Sequence, residues 1–496
     1  MFQKIVLSIV LFFAFIIAAF FFLIKVIDFN EYKPRIHKAL KESIGYEIII
    51  RGDITLTLSP VGVSISDVEI MNPAYRTETP FAKIGSFDVA LDVSSLLKKE
   101  IKVKDVAIDS LTLMIEKSKE GKYNYELTPL APKTTDKKNK ENNVTLEKGD
   151  CNTTVFGDIK KVKFSNANVT YSENNNTTKI VFDAINLDTY KINRDPIKQK
   201  LQSLSFSADV HIDKIAYGEY TLRNISMPFE MKDGIAISEN LQYTLFDTPI
   251  TGSGKFDLSG KQPKISLKSK LVGLKLASLS KELWNKDLLE GTANGEFKLS
   301  FFVGDSYTLK STLHGFVQLF GEEIILKGYD LDKIASLLDP RQQNAHAFNF
   351  GSLMSGFNAF KGGMTSIKEA NTKIDIGYSE VHFTDVALST THNRAAMKGT
   401  VNIVDEKLID FKTALLDSKG CALVEQKFNG TLAKPSLKVD DSTITALSNV
   451  VLSFSTKPKI VQNILKKSDE NCTVFYEGVI KHPQFDPVSE IPPSGE

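Results

Sequence analysis

Residues 48–73 read IIIRGDITLTLSPVGVSISDVEIMNP, and residues 81–93 read FAKIGSFDVALDV. In the first stretch Ile54, Leu56 and Leu58 alternate with Thr55 and Thr57, and Val61, Val63 and Ile65 follow. In the second, Phe87, Val89, Leu91 and Val93 alternate with Asp88, Ala90 and Asp92; Leu111, Leu113 and Ile115 close the series. Successive strand side chains point to opposite faces, so a period of two marks strands with one apolar and one polar face. Turn signals separate the runs: Arg51-Gly52-Asp53, Ser59-Pro60, Asn72-Pro73 and Glu120-Gly121-Lys122. Short strands at regular spacing, without helical stretches between them, predict an antiparallel meander rather than βαβ units.

Working outward, strand patterns continue at 265–279, 295–304, 313–328, 373–388, 398–416 and 427–440. Two polar inserts interrupt them. KTTDKKNKENN at 133–143 predicts a loop or linker, and ENNNTTK at 173–179 predicts a hairpin tip. Helical signals are few. Ile36, Leu40 and Ile44 lie at helical spacing within 28–47, with Pro34 in the first turn and Gly45 at the stop. This predicts a short amphipathic helix whose stripe packs on the sheet or on a lipid surface. LDKIASLLDP at 331–340 and a stretch around 443–466 complete the helices. The predicted organisation is an anchor at 1–27, an N-terminal β region with its leading helix at 28–130 and a polar linker at 131–150. A middle β region at 151–260, a C-terminal β region at 261–440 and a helical segment and tail at 441–496 follow.

The anchor is IVLSIVLFFAFIIAAFFFLI at 5–24, twenty positions with one Ser and no charge. At about 1.5 Å per residue this length crosses a hydrocarbon core of about 30 Å. A cleaved signal peptide has a shorter apolar region ending in small residues, whereas this one ends in Phe20, Phe21, Phe22 and Leu23, so an uncleaved single-pass anchor is predicted. Lys25, Lys33, Arg35, Lys38 and Lys41 follow the span and Lys4 precedes it, which taken alone leans towards a cytoplasmic bulk.

The 496 residues carry 61 basic and 60 acidic side chains, a net charge of +1, and only seven of the basic residues are Arg. A polyanion binder carries a basic excess rich in bidentate guanidinium groups, so nucleic acid is excluded as a partner. Phe occurs 32 times and Trp once, a composition that favours strands. Cys151, Cys421 and Cys472 show no CxxC spacing and offer no thiolate zinc site. No HExxH, GxSxG, P-loop or GxGxxG pattern occurs, so no catalytic residue and no cofactor are predicted. The closest histidines in sequence, His382 and His392, read as solvated strand-edge residues rather than metal ligands.

Residues 28–125 resemble the AsmA family of bacterial envelope proteins. The resemblance rests on the order Tyr32-Lys33-Pro34, Gly45, Gly52-Asp53-Ile54, Ser59-Pro60, Val68 to Asn72, Phe81-Ala82, Leu96-Leu97, Gly121 and Asn124. LHGFVQLFGEEIILKGYDLDKIASLL, AAMKGTVNIVDEKLIDFKTALL and FNGTLAKPSLKVD fit in the C-terminal third, while 130–250 match only in strand character. The resemblance implies an inner-membrane anchor with the bulk of the chain in the periplasm, against the lean of the charges. It also implies a long curled antiparallel sheet forming an open groove, similar to chorein-type bridge proteins, and a role in outer-membrane biogenesis or phospholipid movement. An apolar sheet face must be covered by a second sheet, by helices or by a ligand. On this reading phospholipid is the ligand, with Phe87, Val89, Leu91, Val93, Ile54, Leu56 and Leu58 lining the groove. Outer-membrane or other periplasmic proteins are expected partners. The rival is a scaffold or assembly factor for outer-membrane proteins, with a dry core; small polar linings favour it, and continuous Phe, Leu, Ile and Val favour lipid. An oxidising periplasm also favours pairing of Cys421 with Cys472, leaving Cys151 free. Asn152, Asn175 and Asn471 resemble bacterial N-glycosylation acceptors, each with an acidic residue two positions earlier.

Overall fold

The computed structural model describes residues 29–44, 46–72, 79–96, 98, 100, 102–126, 159–173, 178–195, 200–338, 361–432, 434–438 and 472–483. Over these residues the chain is mainly β and largely antiparallel, with 22 strands and few helices. The predicted anchor at 5–24, the polar segment at 133–143, the helical stretch at 443–466, Cys151 and the three Asn acceptors lie outside the described residues. Among the described residues no helix is long and apolar enough to cross a membrane. The strands fall into two units, divided between Gly234 and Ile235.

In the first unit a 3-10 turn, Phe29–Tyr32, leads into α1, Lys33–Ile44. Proline early in α1 sacrifices an N–H that has no intrahelical partner there. The helix lies beside β1, Ile48–Ile50, with His37 Nδ1 2.6 Å from the Ile48 carbonyl oxygen. β2 (Ile54–Leu58), β3 (Val61–Met71), β4 (Pro80–Leu91), β5 (Val103–Asp109), β6 (Thr112–Lys117), β7 (Lys161–Glu173), β8 (Thr178–Arg194), β9 (Leu204–Tyr217) and β10 (Tyr220–Lys232) follow. The meander expectation needs one correction, because β7 pairs in parallel with both β5 and β6. β5 and β6 together span between β4 and β7, broken at Ser110, which is left-handed at φ 54°. Val93 also departs from the reading: β4 ends at Leu91, and Val93 opens the helical turn α2, Val93–Leu96. Asp92 stops the strand by accepting from Ser95 N and from Ser95 Oγ at 2.7 Å, which also holds its carboxyl below the usual range.

The second unit holds β11 (Ile235–Leu245), β12 (Thr248–Asp257), β13 (Lys264–Lys275), β14 (Leu289–Glu290), β15 (Thr292–Phe302) and β16 (His314–Tyr329). β17 (Lys361–Gly377), β18 (Glu380–Thr390), β19 (Arg394–Asn402), β20 (Lys407–Leu416), β21 (Ala422–Gly430) and β22 (Pro435–Lys438) complete it. Helix α3, Leu276–Trp284, begins inside the run read as strand at 265–279, and α4, Ser306–Thr312, is short. Gly273, at φ 65°, interrupts the ladder, which resumes only for Leu274 and Lys275 before LASLSKELW follows a helical period. The predicted helix at 331–340 is α5, Leu331–Leu338.

Strict alternation does not run through these strands. Six carry a step of three, Ile65 to Val68, Ile84 to Phe87, Phe164 to Ala167, Phe182 to Ile185, Ile212 to Ile215 and Leu222 to Ile225, and Ile108 to Leu111 makes the same step across the break between β5 and β6. The ladder skips a residue inside each step. Asp67 and Gly85 are skipped between β3 and β4, and Ala184, Asp213 and Asn224 across β8, β9 and β10. Asp67, Ser110, Asn166, Ala184 and Asn224 are all left-handed. Such a residue kinks the strand and shifts its phase, so apolar side chains three apart share one face. In the second unit Ile367 and Ala370 flank the skipped Lys368 and pack in one apolar cluster. Amide groups freed by the breaks find side chains instead: Asn186 Oδ1 accepts from Asn166 N and Asn168 Oδ1 from Ala184 N, both at 3.0 Å.

Gly399, at φ 141°, stands opposite Phe383, and the missing side chain leaves room for the Phe383 and Phe411 rings to meet edge to face at 5.1 Å. A Cβ there would lie 2.6 Å from Phe411 Cα. Gly399→Val should therefore cost about 3 kcal/mol through overpacking and lower the thermal midpoint of the full chain. Gly260→Ala, whose nearest neighbour would lie at 3.6 Å, should leave the midpoint unchanged.

Candidate functional site

The strand registers line up apolar residues into continuous rows across the first unit. Ile54, Ile65, Phe87, Ile108, Phe164, Leu187, Val210 and Met227 stand directly opposite one another from β2 to β10. Eight strands at about 4.8 Å make this row roughly 34 Å long. Beside it run Leu56, Val63, Val89, Val106 and Val162. Beyond the line of skipped residues, Ile48, Ile70, Ala82, Leu113, Val169, Phe182, Ile215 and Leu222 form a third row. The register in between is polar: Thr55, Ser64, Asp88, Ala107, Lys163, Asp188 and Asp209.

Of the residues picked from sequence, Ile54, Leu56, Phe87 and Val89 stand in these rows and Leu91 extends the same face. Ile54 is buried, while Leu56, Phe87, Val89 and Leu91 are half-buried. Leu58, opposite Val61, is 36% exposed, and Val93, off the strand, is 50% exposed. Seven of the eight residues in the row from Ile54 to Met227 are only half-buried. Lateral neighbours cover their flanks and, among the described residues, no second layer covers their tips. The partners Ile108, Phe164, Leu187, Val210 and Met227 escape a reading by alternation, because the steps of three hide their phase. A search for apolar pairs three apart over a polar or small residue would have found them.

At the far margin the row Ile115, Tyr171, Ile180, Tyr217 and Tyr220 mixes in phenols. Burial and a hydrogen bond donated to Glu173 push the Tyr171 phenol up. On the other face Arg51 binds Glu69 through Nη2 at 2.7 Å and Nε at 2.8 Å, and Lys83 reaches it at 3.2 Å. These hydrogen bonds hold the Glu69 carboxyl below the usual range.

In the second unit Leu267, Leu299, Gly315, Ile376, Val381, Val401 and Leu408 form one row, and Phe297, Val317, Ile374 and Phe383 another. Further along, the residues become small: Leu274, Ala293, Gly321, Ala370, Leu388, Ala395 and Leu415. Here helices cover the sheet. Leu276 of α3 packs with Ala293, Ile324 and Ile367. α5 encloses an apolar pocket of about 200 Å³ with Leu388, Ala395 and Leu415. Asp332 clamps α5 in place, accepting from Thr390 Oγ1 at 2.5 Å and Asn393 Nδ2 at 2.6 Å.

The opposite face at this end is covered by residues 472–483. Ala387, Ala396, Ala414 and Leu416 bury Phe475, Tyr476 and Ile480. Cys421 and Cys472 are joined by a disulfide with Cα atoms 6.0 Å apart, and Phe475 N donates to Gly420 O at 2.8 Å. Buried Arg394 donates to Ile480 O at 3.1 Å and to Asp417 O at 2.8 Å, and Lys398 Nζ sits 4.1 Å from the Phe475 ring centre. Burial and the 2.6 Å hydrogen bond donated to Asp385 push the Tyr476 phenol up to about 12.

Among the described residues no three His, Cys, Asp or Glu side chains converge as a metal site. His382 Nδ1 lies 3.0 Å from Thr400 Oγ1 at the start of β18, and His392 follows the end of that strand. Residues 1–200 match the model of the AsmA family. No curated protein matches the chain.

A phenol whose folded pKa lies above its ordinary 10.0 contributes stability below that value and loses it as pH rises towards about 12. Reduction of Cys421–Cys472 by a phosphine should therefore accelerate between pH 10 and 12. Tyr476→Phe should be reduced faster than the parent chain at pH 8 and show no such rise; equal rates and slopes in the two proteins would mean that Tyr476 does not hold the segment.

Proposed function

The chain belongs to the AsmA family through its residues 1–200, and from that premise we propose that it carries phospholipid along the apolar rows of its sheet in support of outer-membrane biogenesis. AsmA-family proteins are cell-envelope proteins not known to be enzymatic. In this reading the segment at 5–24 holds the chain in the inner membrane and the β units lie in the periplasm. The observation that carries the reading is the row of eight from Ile54 to Met227, half-buried at every position but Ile54 and without a polar interruption. Each methylene buried against such a row gains about 0.8 kcal/mol wherever it lies. An acyl chain therefore slides between equivalent positions, and another process sets direction. Head groups remain in water beyond the apolar rows. No single lining residue is indispensable, since the binding is spread over many.

A second reading has its own support. In the second unit α3 and α5 cover the small-residue row, and residues such as Thr372, Thr413 and Gln426 enter the neighbouring register. A protein-assembly scaffold would use a dry, capped sheet of this kind.

The test is the lipid content of the purified full chain. Gentle extraction should yield phospholipid bound to the parent protein, counted by mass spectrometry. Phe164→Asp with Leu187→Asp, placing two carboxylates mid-row, should strip most of it, because an acyl chain cannot solvate a charge. Ser64→Asp, on the polar register, should retain it. A lipid-free parent, or a double variant as loaded as the parent, would favour the scaffold.

A further inference from the structure

On the second unit, Ser266, Lys268, Lys298 and Ser300 line an open hollow of about 1020 Å³, whose lining also includes Leu267, Leu299 and Ile376 of the apolar row. Its floor is set by register. Ser266 of β13 stands opposite Ser300 of β15, and two residues along, Lys268 stands opposite Lys298. Ser266 is flanked by Lys255 of β12, and Ser300 by His314 of β16. Because residues two apart share a face, the Cβ atoms of the two serines and two lysines form a quadrilateral with sides of about 5 and 7 Å.

This arrangement runs against sheet stability. Like charges directly opposite one another destabilise a pair of strands. Elsewhere the chain relieves such contacts: Lys398 and Lys412 also stand opposite each other, but Lys398 lies over the Phe475 ring and Lys412 pairs with Glu425 at 3.3 Å. Among the described residues Lys255, Lys268 and Lys298 take part in no ion pair. One row further along, Lys270 faces Glu296, the opposite-charge arrangement expected of a solvated sheet face. Lys264 joins the rim, so four lysines meet two carboxylates, Glu239 and Asp375, around the hollow.

We propose that this hollow is a binding site for a phosphate group, held by Lys268 and Lys298 with Ser266 and Ser300 donating from the floor and Lys255 from the side. Hydroxyls on the floor and flexible lysine side chains on neighbouring positions of the same face can together supply the several charge-assisted hydrogen bonds that a phosphate oxygen set takes up. The bound anion would also screen the Lys268–Lys298 repulsion, so binding and unit stability are coupled. No residue of the first unit's rows lines the hollow, so its existence does not depend on lipid moving along them.

The experiment titrates detergent-solubilised full chain with inorganic phosphate and, separately, with dihexanoyl phosphatidylglycerol below its micelle concentration. At least one probe should bind, weakening as salt is raised. Lys268→Gln with Lys298→Gln should weaken that binding by about tenfold or more, the loss of at least one charge-assisted hydrogen bond. Lys261→Gln, on the turn outside the hollow, should bind like the parent. Tighter binding of inorganic phosphate identifies a soluble phosphate as the occupant, and tighter binding of the phosphatidylglycerol identifies a lipid head group. Lys298→Gln alone should melt no lower than the parent, since it removes a repulsion, which separates loss of binding from loss of fold. Failure of both probes to bind, or binding unchanged in the double variant, would overturn the proposal.

Discussion

An apolar sheet face in water has to be covered, and the cost of leaving it bare grows with every strand added. The first unit adds strands from β1 to β10 while keeping its apolar residues opposite one another. That continuity depends on the steps of three. A kinked strand without a phase shift would turn half of its apolar residues to the polar side, as a one-residue register slip does. Here left-handed Asp67, Ser110, Asn166, Ala184 and Asn224 absorb the kink. Short polar side chains are tolerated in that conformation, and Asn168 and Asn186 then satisfy the amides that the broken ladder leaves behind. The richness of the chain in Asn has a structural use at these positions.

The second unit meets the same constraint differently. Where its rows hold Leu, Ile, Val and Phe most positions are half-buried, Ile376 and Val401 being buried, and where they take in Ala and Gly, α3 and α5 come down on the sheet. Small residues let a helix approach, and Asp332 fixes α5 through Thr390 and Asn393. On the other side, residues 472–483 cover a patch of Ala and Leu, tied by a disulfide at one end and by Arg394 and Asp385 further along. Both faces at this end are thus covered by the chain itself. The rows of the first unit have no such cover among the described residues, and there an acyl chain is the natural complement.

Much of the architecture was legible from local sequence. Alternation at 54–65 and 87–91 marked strands, Pro34 framed the helix that became α1, and Ser59-Pro60 marked a turn. What escaped it was non-local or a break of period. Val93 continues the alternation on paper, but Asp92 captures Ser95 and ends the strand. The parallel pairing of β7 with β5 and β6 joins segments separated by a long connection, which no local pattern specifies. α3 hides in a run whose Leu271, Leu274 and Leu276 suit strand or helix equally until Gly273 is seen to break the ladder. Five of the eight residues of the candidate row, from Ile108 to Met227, were invisible for the same reason: a period of two cannot follow a chain that resets its own phase.

A continuous apolar face requires the apolar residues on either side of the skipped line to point the same way. The direct measurement places a photo-crosslinking amino acid in turn at Ile65, Ser66, Val68 and Glu69 of the full chain in living cells and scores attached phospholipid. Attachment at Ile65 and Val68, with Ser66 and Glu69 unlabelled, is the predicted result; attachment at Ile65 and Glu69 but not Val68 would mean that the phase does not reset and the rows do not share a face.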